Sequence, residues 1–409
     1  MKKMMMIAAL MLVAVSSAFA GASDALKAIK KASTYSEAAQ LVQSSLDQLA
    51  DNAEKAEAYN TVVDLALKTF NAESVKAQAQ QQANEEDMYN ALQTAFTAAN
   101  ECYKYDQLPN AKGKVKERFS KANALRLYNL RPYLINGGGF FQGKDYKKAF
   151  DLLSGYVASN DYPVFAELKQ DPAKDPNYKN AAFYASYMAL MDKDYPNAEK
   201  YSEMAIGDSA NGTNALAIMF QAMKSQIKTK ADTLAFVQKC KNLYAKYPDN
   251  QVVFANLVNA YSQVGQDAEA EKLVDERLAS NPNDFYALYD KGLVLFQKNQ
   301  YEDAANTMMK ALSLAPEASK LDINATIGDC YLGHAQARLD KIKGVLSKAA
   351  KDQFIPVYNN AIKYYEAAKA LDKDGSQKSK YAARLYSCYY FVYGEADPKT
   401  QEAKTYAGY

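Results

Sequence analysis

Residues 283–316 read NDFYALYDKGLVLFQKNQYEDAANTMMKALSLAP, and this stretch decides the fold. Its apolar spacing predicts two amphipathic helices. The first runs through Tyr286-Ala287-Leu288 to Gly292 and Leu295, and a turn falls near Lys298-Asn299-Gln300. The second begins around Tyr301 and carries Ala304, Met308 and Ala311 before Pro316. Small residues at Gly292, Ala304 and Ala311 let the helices approach until ridges enter grooves, and Leu288, Leu295 and Met308 fill the seam. Pro316 stands where a helix must stop. Pro248, Pro282 and Pro316 lie 34 residues apart. A period of that length means one helical hairpin copied and stacked, since a single unit cannot bury its own apolar face.

The preceding unit, Gln251 to Pro282, repeats the pattern with Phe254, Leu257, Tyr261, Gly265, Ala270 and Pro282. Gly265 is placed to end a first helix in a left-handed cap. Val258 and Arg277 replace small residues in that unit, so looser packing is expected there. The mutual spacing of Leu288, Gly292, Tyr301, Ala304, Ala311 and Pro316 resembles the tetratricopeptide repeat, of an exported, bacterial type. The resemblance covers roughly residues 130–393. It implies an all-α solenoid of helical hairpins, a right-handed superhelix whose first helices line a concave face where partner peptides bind. Matching places on those helices are Tyr184, Tyr187, Gln221, Asn256, Asn259, Gln263, Tyr289 and Asp290. Asn256 and Asn259 stand out because amide side chains can pair with the backbone of an extended peptide. The basic positions that clamp a peptide's terminal carboxylate are not evident.

Other units are less regular. The one closing at Pro248 keeps helix length but lacks the small residues. Asp194-Tyr195-Pro196-Asn197-Ala198 with Ala205 marks a second helix preceded by Ala182, Ala185 and Ala189. Gly137, Phe140, Tyr146, Ala149 and Leu153 match again, and Asp161 to Pro176, with three prolines, reads as an ordered loop. Downstream, Ile327-Gly328 and Tyr331 open a first helix, and the matching second helix comes late, at Asn360 to Tyr365 with Ala368. Lys378 to Tyr393 reads as a capping helix, and Gly394 to Tyr409 as a partly loose tail. Residues 21–128 are helical by composition, either diverged repeats or a cap, with apolar spacing at Tyr59, Val62, Val63, Ala66 and Phe70. The expected order is a leader over 1–20, that helical region over 21–128, repeats over 129–373, and a capping helix and tail over 374–409.

Lys2 and Lys3, the apolar run Met4 to Val15 and Ala18-Phe19-Ala20 form the pattern of a cleaved export signal. No cysteine follows for lipid attachment, and no later segment is long and apolar enough to span a bilayer. The chain holds 49 Lys and Arg against 47 Asp and Glu; loss of the two leader lysines leaves the signs equal. A chain without net charge or a dense basic tract disfavours nucleic acid as partner. Cys102, Cys240, Cys330 and Cys388 lie far apart: in an oxidising compartment they could pair in three ways, or they serve as small buried apolar residues. Many of the 32 tyrosines recur at fixed places in the period, so most read as packing residues rather than a ligand surface.

Catalytic signatures are weak beside their structural readings. Gly137-Gly138-Gly139 lacks the Gly-Lys-Ser/Thr of a phosphate loop. Ser225-Gln226-Ile227-Lys228 lacks the further motifs of serine–lysine enzymes. Asp372 to Ser376 lacks the glycine and glutamate of a calcium loop and reads as a helix-ending turn. His334, the single histidine, has no partner pattern, and zinc spacing is absent. Asn211-Gly212-Thr213 and Asn324-Ala325-Thr326 are glycosylation sequons. The sequence therefore points to a non-catalytic scaffold, without cofactor or metal, that binds a protein or peptide outside the cytoplasm, most simply in the periplasm, with association to the cell envelope or secretion also open. The alternative is a glycan- or solute-binding surface protein of a nutrient-uptake system, with Tyr184, Tyr187 and Tyr289 as an aromatic platform.

Overall fold

The computed structural model describes residues 22–168, 171–344 and 346–409, and the export signal expected at residues 1–20 lies outside the described residues. All regular structure among them is helical. The chain divides into two compact units, Met1–Gln226 and Ile227–Tyr409.

The first unit contains α1 (Asp24–Lys31), α2 (Tyr35–Ser45), α3 (Asn52–Gln78), α4 (Glu85–Asp106), α5 (Ser120–Tyr128), α6 (Arg131–Phe141), α7 (Tyr146–Ala158), α8 (Tyr178–Met191), α9 (Tyr195–Ala205) and α10 (Gly212–Ser225). Helix starts follow from side-chain caps. Ser23, Thr34, Asp51 and Asn84 each accept a hydrogen bond from a backbone N–H in the first turn of α1 to α4. The long helices α3 and α4 pack on one another, and Val62, Ala66 and Phe70 share one core with Leu92, Ala95 and Ala99. From α6 to α10 each helix packs on the next. The proline-bearing loop is ordered where described. It makes two 3-10 turns, Ser159–Asp161 and Pro163–Leu168, and buries Val164 and Phe165. The buried Arg131 holds it: Nε donates to Ser159 Oγ at 2.7 Å and Nη2 to Asp175 Oδ2 at 3.0 Å.

The second unit contains α11 (Lys230–Lys246), α12 (Gln251–Gln263), α13 (Asp267–Ser280), α14 (Phe285–Gln297), α15 (Tyr301–Leu314), α16 (Glu317–Leu339), α17 (Lys348–Asp352), α18 (Ile355–Leu371), α19 (Ala382–Tyr393) and α20 (Pro398–Ala407). Successive helices from α11 to α16 pack pairwise, and α12 also meets α14, the two-apart contact that stacking of hairpins requires. The turn at Lys298 to Gln300 and the start at Tyr301 fall where the spacing predicts. Gly292 lets α14 and α15 close up: a Cβ there would lie 2.7 Å from Met308 Cγ.

One turn geometry recurs at hairpins among the described residues, after α3 at Gln80 (φ 56°, Gln81 N–H to the Lys76 carbonyl at 2.9 Å) and at three more. Lys193, Gly265 and Asn299 follow α8, α12 and α14 with φ of 63°, 72° and 60°. After each, a backbone N–H reaches five residues back, Asp194 to Ala189, Gln266 to Tyr261 and Gln300 to Leu295, at 2.8, 2.9 and 2.9 Å. This is the left-handed cap expected at Gly265. The chain uses it equally with lysine and asparagine, which composition alone does not announce.

The structure corrects two expectations downstream. Ile327-Gly328 does not open a helix; both lie inside α16, which starts at Glu317 directly after Pro316. The tail after Gly394 is not loose. It forms α20, which packs on α19, buries Thr400 and Ala403, and brings Tyr406 Oη to 2.9 Å from Tyr381 Oη. Its sequence, PKTQEAKTYA, carries too few apolar residues to announce itself by period. The Asp372 turn is a helix-ending turn, its buried carboxylate accepting from the Gln377 N–H and the Tyr381 hydroxyl. No helix among the described residues is long and apolar enough to cross a membrane. All four cysteines are buried, and burial pushes the thiols of Cys102, Cys330 and Cys388 up to about 12. Asn324 of the second sequon is buried and donates to the Lys320 carbonyl at 2.7 Å, so that amide is committed.

Candidate binding cleft

Two first helices, α12 and α14, build a cleft of about 290 Å³ in the second unit. One stripe of each helix faces it: Ala255, Val258, Asn259 and Ser262 from α12, and Tyr289, Asp290, Leu293 and Gln297 from α14. Their three- and four-residue spacing is that of a single helical face. Asn256 and Val294 complete the lining. Val258, where the repeat pattern has a small residue, stands in the wall of this cleft. Beneath, α13 contributes Ala270 and Val274 to the core shared with Phe254, Val258, Ala287 and Val294.

Arg277, the other departure from the pattern, is part of the same neighbourhood. Its Nε donates to Asp284 Oδ2 at 2.8 Å, and its guanidinium lies 4.4 Å from the centroid of the Phe254 ring. Asp284 in turn caps α14, accepting from the Ala287 N–H at 3.0 Å. Arg277 Nη1 is buried without a hydrogen-bond partner.

Asp290 is the chemically unusual group. Its residue is 6% exposed, and its carboxyl takes part in no hydrogen bond with the rest of the described protein. Burial pushes its pKa up to about 7; the Arg277 charge opposes this and Asp284 adds to it. A carboxyl so placed has lost most of its contact with solvent and receives no donor from the protein, and both disfavour its charge. Ser262 Oγ, also lining the cleft, is buried and unpartnered. Burial raises the Tyr289 phenol as well, with Asp322 and Asp290 reinforcing it.

The structure brings four of the eight sequence-predicted residues to this cleft: Asn256, Asn259, Tyr289 and Asp290. Asn259 is exposed on the rim. Asn256 is partly committed, because its Nδ2 donates to the Val252 carbonyl at 2.8 Å within α12. Asp290 is buried rather than solvated. Gln263 is exposed at the end of α12 and does not line the cleft. Tyr184 and Tyr187 on α8, 38% and 37% exposed, and the exposed Gln221 on α10 belong to the first unit. Sequence reasoning missed Ser262 and Gln297. Both were available from the stripe, three residues beyond Asn259 and seven beyond Asp290. Among the described residues no three His, Cys, Asp or Glu side chains are grouped to hold a metal.

Comparison with known proteins follows the same lines. Residues 285–317 match the tetratricopeptide repeat family. No curated protein matches the chain. Among solved structures, a tetratricopeptide repeat protein from Parabacteroides merdae ATCC 43184 is similar over 68% of this chain and 98% of its own, at 11% identity and a TM-score of 0.37. Pseudomonas aeruginosa pilF is similar over 68% and 97%, at 14% identity and 0.33. Human IFIT1 is similar over 94% and 70%, at 14% identity and 0.40. The family match thus falls on the best-formed hairpin, α14 with α15, which carries a tetratricopeptide repeat, and the left-handed turn of that hairpin recurs along an all-helical chain.

Proposed function

We propose that this protein is a non-catalytic scaffold that holds a protein or peptide partner along the α12–α14 cleft, outside the cytoplasm. The observation that carries this reading is the cleft itself, an open stripe where apolar Val258 and Leu293 alternate with the polar ends of Asn259, Ser262 and Gln297. An extended peptide presents backbone donors and acceptors at regular intervals, and amide side chains can answer both. The leader pattern of Lys2, Lys3, Met4 to Val15 and Ala18-Phe19-Ala20 supports export to the periplasm.

The test is cross-linking in the native cell envelope followed by mass spectrometry, with an Asn259→Ala, Gln297→Ala double variant as control. A partner cross-linked through α12 or α14, and lost in the double variant, is expected. The reading fails if cross-links are indifferent to those substitutions, or if the purified protein turns over a substrate while capturing no partner. Fractionation that leaves the uncleaved chain in the cytoplasm would refute export.

A further inference from the structure

We infer that Asp290 is the anchor for a basic side chain, lysine or arginine, carried by the extended peptide that the cleft receives. This rests on the peptide-binding reading above and names which peptides bind.

The cleft presents one charged group, and that group is unpaired. Asp290 belongs to its lining, is 6% exposed, and receives no hydrogen bond from the protein. Its neighbouring cation, Arg277, donates through Nε to Asp284 and stacks on Phe254; it acts on Asp290 through its charge and makes no hydrogen bond to it. A buried carboxylate without donors is costly to the free protein, and an incoming cation supplies what is missing. The rest of the wall fits such a side chain. Val258, Leu293 and Val294 offer an apolar channel for the methylene stem of lysine or arginine, whose charged head then meets Asp290 at the inner end. Ser262 Oγ, buried and unpartnered on the facing helix, is a second acceptor for a head group with several donors. Acidic side chains are excluded by the same carboxyl, and apolar ones leave Asp290 and Ser262 unsatisfied.

The experiment uses the mature protein and four fluorescein-labelled, end-blocked hexapeptide pools that differ only at one central position, which holds Lys, Arg, norleucine or Glu. Binding is read by fluorescence anisotropy. The Lys or Arg pool should bind about tenfold more tightly than norleucine, the scale of one charge-assisted hydrogen bond in a buried site. Asp290→Asn, which keeps the side chain's shape, should bring the basic and norleucine pools to within about twofold of one another. Asn259→Ala should weaken every pool alike, and a thermal melt of each variant checks folding. Equal binding of basic and norleucine pools to the wild type, or a basic preference that survives in Asp290→Asn, overturns the assignment while leaving the peptide scaffold standing. No binding of any pool to the folded wild type overturns both.

Discussion

Replacing Asp290 by Asn should stabilise the protein at pH 8 and destabilise it by about 1–2 kcal/mol at pH 4. Burial raises this carboxyl from 3.8 to about 7. Below the unfolded value both states hold the proton, so the group contributes no difference. As pH rises from about 4 to 7, the unfolded chain releases its proton while the folded chain retains it, and folding loses stability with each increment. Above pH 7 the folded carboxylate is ionised, buried and unpaired, and the loss is complete. A rise of about three pKa units at roughly 1.4 kcal/mol each corresponds to about 4 kcal/mol. The asparagine amide has the same volume and does not titrate, so the variant lacks this slope. Its own amide hydrogens meet no acceptor in place and cost about 1–2 kcal/mol, which leaves a net gain of about 2–3 kcal/mol at pH 8. The assay is urea unfolding followed by circular dichroism at pH 4.5, 6, 7 and 8 for both proteins. Subtracting one series from the other cancels the remaining titrating groups, because only one site differs. A gap between the two proteins that stays constant across this range would refute the reasoning. The gain would also mark a conflict between stability and recognition, since the substitution that relieves the free protein removes the anchor for a basic ligand.

Other consequences can be measured separately. Arg131→Ala should cost about 3 kcal/mol, because it removes the cation from the half-buried Asp175, leaving that carboxylate only the Tyr156 hydroxyl and the Asn177 N–H, and frees the loop before α8. Thermal unfolding reads the loss, and limited proteolysis should show new cleavage within residues 171–176; an unchanged melt and digest would contradict it. Lys193→Gly should stabilise by about 0.5–1 kcal/mol, since a lysine held at φ 63° bears a left-handed strain that glycine does not; a lower urea midpoint would contradict it. Cys102, Cys330 and Cys388 should resist alkylation in the native protein and react only on unfolding, as their burial and raised pKa keep them protonated. Peptide mapping by mass spectrometry checks each site.

Local order was legible where a residue type has one strong physical consequence. Gly292, Ala304 and Ala311 announce close helix approach by their small size, and at Gly292 even a Cβ would lie 2.7 Å from Met308 Cγ. Pro316 ends a run because it cannot continue one, and Gly265 caps a helix because it tolerates positive φ. The same reasoning failed where the cause was tertiary. Residues 398–407 carry too little apolar periodicity to declare a helix, and α20 exists because Thr400, Ala403 and Tyr406 find α19 and Tyr381 to rest on. Lys193 and Asn299 adopt the turn of Gly265 because the packed helices on either side demand it.

The chain by itself therefore determined the hairpin, its period and the stripe on which Asn256, Asn259, Tyr289 and Asp290 recur, since these depend on neighbours three to four residues apart. Only the tertiary structure decided that Asp290 is buried without a partner, that Asn256 is bound to its own helix, and that Ser262 shares their cleft. Solvent access and hydrogen-bond satisfaction depend on what the next hairpin lays across a residue, and no local pattern carries that information.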